Sequence, residues 1–291
     1  MKPAAFTYVA ASTLDQAVSL LAQHAPEGKP LAGGQSLIPM MNFRLAQPRY
    51  LIDLNRVSEL MYVREVDAMV AIGAMTRQSE AQRSEVVSRL VPILSEALRW
   101  TGHAAIRHRG TVGGSLAHAD PAAELPAVAL ALGAELVAQG PAGRRVIPAE
   151  EFFLGPLSTA LGPDELLVEV RFPALPSGAG WAFLELSRRH GDFAIVGVAA
   201  VLALSGDGRV DQVSLALCGV GPTPVRAHRA EAAVLGVEPS EGVFREAGEI
   251  AAQEIDPDSD LHASAAYRRR VAAVLVRRAL VEAHRRAREG R

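Results

Sequence analysis

The segment PALPSGAG at residues 173–180 divides the chain, because two prolines and two glycines so close together resist regular structure. Before it, helical and strand-like patterns are mixed. After it, strand-like runs at 181–187, 194–204 and 212–218, with a turn at 205–209, are followed by helices. The sequence therefore predicts an α+β fold with a domain boundary at this segment and a small antiparallel sheet beyond it.

Amphipathic and alternating patterns locate the other elements. Thr13 and Gln16 form a capping-box pair ahead of an apolar i, i+3, i+4, i+7 spacing, which predicts a helix from Leu14 to about His24. A second helix is predicted from about Ser79 to Thr101. The remaining predictions are a strand at 50–54, a hairpin at 61–74, an Ala-rich helix after Pro121, strands at 134–139, 144–147 and 165–172, and a long final helix from about Ser264 to Arg288.

Composition limits the classes of partner and cofactor that the chain can bind. The 30 Lys plus Arg nearly balance the 32 Asp plus Glu, so no net field favours nucleic acid or an anionic membrane. Cys218 is the single cysteine, which excludes an internal disulfide and any iron–sulfur cluster that needs several cysteines of this chain. Because the sequence shows neither a signal peptide nor a long apolar run, we expect a soluble, unprocessed, cytoplasmic protein.

Two glycine-rich segments, AGGQS at 32–36 and GTVGGS at 110–115, carry the strongest chemical signal. Paired glycines permit positive φ and bring backbone N–H groups close to an anion, and Ser36 and Thr111 add hydroxyls. Either segment alone is more simply a tight turn. The presence of two similar segments favours phosphate binding. Neither a G-x-G-x-x-G nor a Walker P-loop occurs, so a Rossmann or P-loop site is not supported.

Longer stretches around these glycines resemble a known family. They are AGGQSLIPMMNFRLAQPRYLIDLNRV (32–57), IGAMT (72–76), RHRGTVGGSLAHADPAAELPAVALALGAEL (107–136), RRVIPAEEFFLG (144–155) and RRHGDFAIVG (188–197). Over nearly the whole chain, they resemble the flavoprotein subunit of bacterial carbon monoxide dehydrogenase and the FAD segment of xanthine dehydrogenases and related molybdenum hydroxylases.

This resemblance implies a two-part FAD-binding domain of the vanillyl-alcohol-oxidase (PCMH) type, residues 1–57 and 58–175. A smaller C-terminal α+β domain with an antiparallel sheet follows at residues 176–291. The resemblance also implies that FAD is the cofactor and that the two glycine segments clasp its pyrophosphate and ribityl regions. The residues it assigns to that contact are Ala32, Gly33, Gly34, Gln35, Ser36, Leu37, Thr111, Val112, Gly113, Gly114 and Ser115.

Further positions follow from the same resemblance. Glu124 lies where relatives have an acidic residue near the ribityl and isoalloxazine end, and Asp192, Phe193 and Ile195 lie in a segment that approaches the flavin ring. Two positions depart from the family pattern. Gln35 stands where relatives often have His or Thr, and Ser115 stands where they often have Asp or Asn. Both residues keep hydrogen-bonding capacity.

Other chemistries have little support. His103, His108 and His118 lack the i, i+4 spacing of a helical metal site, so we predict no metal site, and His118 is either flavin-proximal or structural. Asp120 fits an N-terminal cap better than a catalytic acid. No G-x-S-x-G motif supports a hydrolase, and no catalytic residue is predicted. The basic C-terminal helix is by default a solvated face, with partner contact as the alternative.

The resemblance implies an electron-transfer subunit that is active only within a complex. Its partners would be a large molybdopterin-containing subunit and a small subunit with two-iron iron–sulfur clusters. Electrons would reach FAD through the clusters and leave to NAD, a quinone or another acceptor. Two alternatives stay open, a stand-alone FAD oxidoreductase and a flavin-free assembly subunit. The substrate of the complex also stays open among carbon monoxide, purines, N-heterocycles, aldehydes and aromatic acyl thioesters.

Overall fold

The computed structural model describes residues 1–290, which form two domains. The chain begins with β1 (Thr7–Ala10), α1 (Leu14–His24), β2 (Gly28–Leu31), α2 (Leu37–Asn42) and β3 (Tyr50–Asp53). The three strands make a parallel sheet in the order β1-β3-β2. The Thr13 hydroxyl caps α1 by accepting from the Gln16 N–H, as the sequence predicts. Apolar residues of α1, such as Leu14 and Leu21, are buried in a small core beneath this sheet.

A five-stranded antiparallel sheet forms the second part of the first domain. A 3₁₀ turn at Ser58–Leu60 leads into β4 (Val63–Val66), β5 (Met69–Gly73), α3 (Gln78–Arg83), α4 (Glu85–Leu90), α5 (Pro92–Trp100), α6 (Ala104–Arg109), α7 (Val112–His118), α8 (Glu124–Leu132), β6 (Glu135–Gly140), β7 (Gly143–Pro148), α9 (Ala149–Phe152), β8 (Phe153–Gly155), β9 (Ser158–Thr159) and β10 (Leu166–Pro173). The sheet order is β4-β5-β10-β6-β7, and β8 pairs with β9 separately.

The C-terminal domain has a four-stranded antiparallel sheet backed by helices. Its elements are β11 (Gly180–Leu186), β12 (Val196–Leu204), β13 (Val210–Cys218), β14 (Val225–Arg226), α10 (His228–Val234), α11 (Glu241–Glu254) and α12 (Ala265–Glu289). The strands lie in sequence order. The predicted α+β class, the antiparallel C-terminal sheet and the long last helix are confirmed.

The single helix predicted from Ser79 to Thr101 is wrong. The segment contains three helices, because Ser84 ends α3 and its hydroxyl caps α4 by accepting from the Val87 N–H. Pro92 then begins α5, where its missing N–H costs nothing, and it disfavours helical backbone at Val91. The patterns also did not predict β1, α2, α6 and α7, since these elements are too short to show a clear periodicity.

Helix α8 connects the two domains. Every residue from Glu124 to Ala131 is buried, as expected for a helix with neighbours on all sides. It packs against α5 and β10 of the first domain and against β12 and β13 of the C-terminal sheet. Phe183, Ala199 and Ala216 of that sheet consequently belong to the same apolar core as the first domain. The two domains therefore share one continuous core.

Helix α12 covers the opposite face of the C-terminal sheet at very short range. A Cβ atom added to Gly180 of β11 would lie 1.7 Å from the Ala283 carbonyl oxygen and 2.5 Å from the Ala287 nitrogen. Both neighbours are backbone atoms of α12, so neither can move aside without displacing the helix. Only glycine fits at position 180.

We expect Gly180→Ala to destabilise the protein by about 1–3 kcal/mol or more, because overpacking would push α12 off the sheet. Gly206→Ala is the matched control, since its added Cβ meets nothing within 4 Å. That control should change stability by no more than about 0.5 kcal/mol. Chemical denaturation followed by far-ultraviolet circular dichroism measures both. Equal midpoints for the two variants would contradict the packing described.

Candidate functional site

The two glycine segments meet in space. A Cβ atom added to Gly33 would lie 2.5 Å from the Arg109 carbonyl oxygen and 2.7 Å from the Gly110 Cα. One added to Gly114 would lie 3.3 Å from the Ala32 Cβ. The two segments are therefore in direct contact, backbone against backbone, and form parts of one site.

The first segment presents free backbone donors. The N–H groups of Gly33, Gly34, Gln35 and Ser36 donate no hydrogen bond within residues 1–290. Gly34 has φ +73°, a conformation that glycine adopts without strain. The Gln35 side chain folds back, with its Nε2 donating to the Gly33 carbonyl at 3.0 Å. Successive free N–H groups of this kind can bind an anion such as a phosphate.

The second segment differs from the sequence expectation, because it forms the cap and first turn of α7 and the backbone donors of residues 112–115 are occupied. The Val112 and Gly113 N–H groups donate to the Thr76 and Ala74 carbonyls at 3.0 and 2.9 Å. The Gly114 N–H donates to the Thr111 hydroxyl at 3.0 Å, and Ser115 N–H donates to the Thr111 carbonyl at 3.2 Å. No main-chain N–H from 112 to 115 is left to donate to a phosphate.

The glycines of this second segment serve close packing instead. A Cβ atom at Gly113 would lie 2.4 Å from the Ala74 Cβ, and one at Gly114 would lie 2.6 Å from the Thr111 hydroxyl oxygen. Any larger residue would lift α7 away from the turn after β5 or displace its cap. The second glycine segment therefore packs tightly beside the first one.

An open cleft of about 630 Å³ lies against the first glycine segment, within the size range of about 300–1,000 Å³ that small-molecule sites occupy. The residues that line it are Leu31, Ala32, Gly33, Gly34, Gln35, Ile38, Pro39, Asp53, Asn55, Arg77 and Arg109. Four of the predicted residues, Ala32 to Gln35, are among them. Ser36, Leu37 and the 111–115 segment adjoin this cleft without lining it.

The Arg77 side chain bridges two sides of the cleft, and the sequence analysis did not predict this residue. Its guanidinium donates to the Arg109 carbonyl at 2.5 Å and to the Asn55 Oδ1 at 2.6 Å. The Asn55 Nδ2 in turn donates to the Ala32 carbonyl at 3.0 Å. A signal existed for Asn55, because it follows β3, and ligands of parallel sheets bind at the carboxyl ends of the strands. Nothing in the sequence pattern points to Arg77.

The cleft carries a net positive charge. Arg77 and Arg109 both line it, and Arg109 is exposed with no ion pair among residues 1–290. Burial and the nearby Arg109 lower the pKa of Arg77, which nevertheless stays charged at any physiological pH. The one acid is Asp53. Burial opposes its ionisation, but hydrogen bonds from the Tyr8 hydroxyl and Asn55 outweigh burial and lower its pKa. An anionic ligand suits this arrangement.

Glu124, Asp192 and Phe193 do not line the cleft. Glu124 is buried at the start of α8, where the Thr101 hydroxyl lies 3.1 Å from its Oε2. Burial raises the pKa of Glu124 to about 7. Asp192 and Phe193 lie on the loop between β11 and β12, and the Phe193 ring is exposed.

The loop with Asp192 and Phe193 rests on the end of α5. The His190 ring stacks on Trp100 with ring centroids 5.4 Å apart, and a Cβ atom at Gly191 would lie 2.6 Å from the His103 Nδ1. Ile195, at the end of the loop, is buried. This part of the C-terminal domain thus reaches the segment that connects α5 to α6 and leads on to the second glycine turn.

Within residues 1–290, no group of three or more His, Cys, Asp or Glu side chains is arranged to hold a metal ion. No helix in that range is long and apolar enough to span a bilayer. Burial lowers the pKa of His118, and Asp120 partly offsets this effect.

Comparison with known proteins identifies the family. Residues 4–175 match the FAD-binding domain of molybdopterin dehydrogenases, and residues 181–283 match the C-terminal domain of the CO dehydrogenase flavoprotein. The chain belongs to the FAD-binding medium subunits of molybdopterin dehydrogenases. Members of this family are subunits of oxidoreductases that act within a complex.

The relatives match over essentially their whole lengths. The alpha subunit of the 6-hydroxypseudooxynicotine dehydrogenase complex of Paenarthrobacter nicotinovorans is 44% identical, with 99% of this chain and 97% of the relative covered. The carbon monoxide dehydrogenase medium chain of Hydrogenophaga pseudoflava is 40% identical, with 96% and 97% covered. A solved structure of carbon monoxide dehydrogenase from that organism superposes with a TM-score of 0.96 at 43% identity, with 98% and 99% covered.

We expect Gly33→Ala to release the cofactor from a folded chain, because its Cβ would collide with the Arg109 backbone and separate the two glycine segments. The measurement is flavin absorbance per chain after gel filtration, with circular dichroism as the check on folding. Gly242→Ala, at the exposed start of α11, is the control and should retain its flavin. Full flavin retention by a folded Gly33→Ala variant would refute the contact as a cofactor clasp.

Proposed function

We propose that the chain binds FAD in the cleft beside its two joined glycine segments and relays electrons within a heteromeric molybdenum-containing dehydrogenase. Electrons would arrive from the iron–sulfur clusters of a small subunit and leave to an external acceptor such as NAD or a quinone. The observation that carries the proposal is the joined pair of glycine segments beside a cationic cleft with unused backbone donors.

The residues of the cleft fit the diphosphate of a dinucleotide. The free N–H groups of Gly33 to Ser36 would donate to phosphate oxygens, and Arg109 and Arg77 would supply positive charge. The second segment, from Thr111 to Ser115, would hold the cofactor mainly by close contact, since the N–H groups of residues 112–115 are occupied. The chemistry that bound FAD supplies is exchange between single-electron and paired-electron transfer. The chain's own part is to bind and orient it.

The ring end of the cofactor is proposed to extend from the cleft towards α8 and the loop with Asp192 and Phe193. Glu124 would lie near the ribityl and isoalloxazine end, and Phe193 would contact or shield the ring. The exposed side chain of Phe193 supports this role, because it is free to meet a ligand. We also propose residues 1–57, 58–175 and 176–291 as the functional units, with FAD held between the first two.

Partner subunits are needed because this chain lacks other redox ligands. A single cysteine cannot hold a two-iron cluster that requires four protein ligands. Substrate choice is proposed to lie elsewhere in the complex, most plainly in a molybdenum subunit. Relatives of similar identity come from dehydrogenases of 6-hydroxypseudooxynicotine and of carbon monoxide, two chemically unrelated substrates.

The two alternatives differ in what they require. A stand-alone FAD oxidoreductase would need a substrate pocket beside the flavin in this chain. A flavin-free assembly subunit would have no use for a cationic cleft with free backbone donors, and the presence of that cleft disfavours it.

The purified chain should bind roughly one FAD, accept electrons from dithionite and fail to oxidise organic substrates, because the centre that activates substrate lies in a partner. Added iron–sulfur and molybdenum subunits should make the same flavin reducible by substrate. Stopped-flow absorbance of the flavin measures both states. If the lone chain turned over a substrate at about 1–1,000 per second, ordinary rates for an enzyme, the stand-alone oxidoreductase would replace the relay.

A further inference from the structure

Two buried carboxyl groups and one buried thiol meet where the domains join. On the C-terminal sheet, Glu185 of β11 pairs in register with Gly197 of β12, which pairs with Cys218 of β13. Register partners place their side chains on the same face of a sheet. The next row along that face is Phe183, Ala199 and Ala216, all part of the core shared with the first domain. Glu185 therefore faces the first domain.

Gly197 provides the space for these side chains. A Cβ atom there would lie 2.6 Å from the Cys218 Sγ, so the thiol lies over the glycine. Glu185, on the other side of Gly197, points into the same space. Opposite lies the start of α8, where Glu124 and Ala127 are buried, and Ala127 clusters with Cys218 and Ala194.

Glu185 has no hydrogen-bond partner. Both of its carboxyl oxygens are buried and unpaired within residues 1–290, and the residue is 8% exposed. The nearby Ser187 hydroxyl acts to lower the pKa of Glu185, but it donates its one proton to the Arg189 carbonyl at 3.0 Å and so leaves the carboxyl oxygens unpaired. Glu124 is 3% exposed, and its one side-chain donor within residues 1–290 is the Thr101 hydroxyl, which also lies within reach of the Ala97 carbonyl. A single hydroxyl proton cannot satisfy both acceptors.

A buried carboxylate without a partner is costly, so such a group takes up a proton instead. Burial, followed by the charge of Glu124, raises the pKa of Glu185 to about 8. Burial raises the pKa of Glu124 to about 7. Burial and these two glutamates also raise the pKa of the Cys218 thiol, which therefore stays neutral. A protonated Glu185 needs an acceptor, and Glu124 is the carboxylate that faces it.

We propose that Glu185 and Glu124 share one proton across the domain interface, and that loss of this proton as pH rises loosens the C-terminal domain from α8. The loop with Asp192 and Phe193 begins two residues after Glu185 and would loosen with it. This inference does not depend on the proposed function. It concerns the joint between the domains, and it holds whatever the cleft binds.

Other charged groups surround Glu185 and Glu124, and two of them affect the pKa of Glu124. Asp120 precedes α8 and raises the pKa of Glu124, whereas Arg107 of α6 lowers it. Arg107 is held by the Thr101 and Gly102 carbonyls. From α12, Arg268 donates to the Ile195 and Gly219 carbonyls beside the pair. His103 and His190 lie at the neighbouring loop contact. All of these remain in a Glu→Gln variant, so comparison with the wild type cancels them.

The sign of the pH effect follows from the raised pKa values. A carboxyl whose pKa is higher in the folded than in the unfolded chain stabilises the fold at low pH. This contribution is lost as pH rises through the pKa of the folded state, here about 7 to 8. Glu185→Gln keeps the size of the side chain and a donor for Glu124 but cannot lose a proton. The variant should therefore lose less stability than the wild type, because only Glu124 still titrates there.

The test compares unfolding temperatures of wild-type chain, Glu185→Gln and Glu124→Gln between pH 6 and 9. We expect the wild type to lose stability relative to Glu185→Gln as pH rises, with the gap largest at pH 9. Glu169→Gln is the control, because Glu169 is buried but ionised, with its pKa lowered by hydrogen bonds from Tyr62 and Arg171 that outweigh burial. Its offset from wild type should not change over this range.

Two further readouts separate a shared proton from a merely structural role. Infrared spectra of the wild type should show protonated carboxyl absorption at pH 6 that fades by pH 9, and this absorption should be weaker in Glu185→Gln, where only Glu124 remains to contribute. Hydrogen exchange in residues 187–195, corrected for its intrinsic pH dependence, should accelerate at pH 9 more in the wild type than in Glu185→Gln. A constant offset for Glu185→Gln, or no protonated carboxyl band at pH 6, would overturn the proposal. If Glu185→Gln does not fold, Glu124→Gln gives the same comparison.

Discussion

The contact between Gly33 and the backbone at Arg109 and Gly110 is the constraint on which the site depends. It brings a parallel-sheet turn and the approach to α7 so close that no side chain fits between them. Arg77 then bridges the Arg109 carbonyl and Asn55, and Asn55 holds the Ala32 carbonyl. Because the first glycine segment is fixed in this way, its four N–H groups without a hydrogen-bond partner within residues 1–290 lie beside the cleft without needing support from a ligand. A dinucleotide diphosphate would meet donors already in place.

The second constraint is helix α8. Its residues are almost all apolar and small enough for sheets and helices to approach from both sides, so it merges the cores of the two domains. Its only buried charge-bearing residue, Glu124, lies at its first position, where the first domain, the C-terminal sheet and the segment after α7 come together. The buried polar contact between the domains therefore lies at the first residue of α8, the helix that connects them.

Local signals made part of this structure predictable. The Thr13 cap and the apolar spacing that follows fixed α1, and proline and glycine at 173–180 marked the change to the antiparallel C-terminal sheet. The break at Ser84 was hidden, because the apolar periodicity runs on across it while a single hydroxyl starts a new helix. The glycine segments were visible as motifs, but their contact is long-range in sequence, and only the family resemblance linked them.

The charged residues of the cleft were not predictable in the same way. Arg77 directly follows the segment IGAMT and Arg109 directly precedes the second glycine segment, but no pattern marks either as a ligand, and only the tertiary contact with Asn55 and Ala32 gives them a shared role. Glu185 was within reach of sequence reasoning. Trp181 and Phe183 precede it in alternation on one strand, so position 185 should face inward, and an acidic residue there is a departure that marks a special site.

Hydrogen–deuterium exchange of the chain with and without FAD tests the central claim most directly, namely that the two glycine segments form one cofactor site. We expect FAD to slow exchange at Gly33 to Ser36, whose N–H groups are otherwise free, and also at 111–115, where a separation of the segments would expose the first turn of α7. Protection of both segments together, with little change in α11 and α12, supports the account. Protection of only one segment, or of neither, would contradict it.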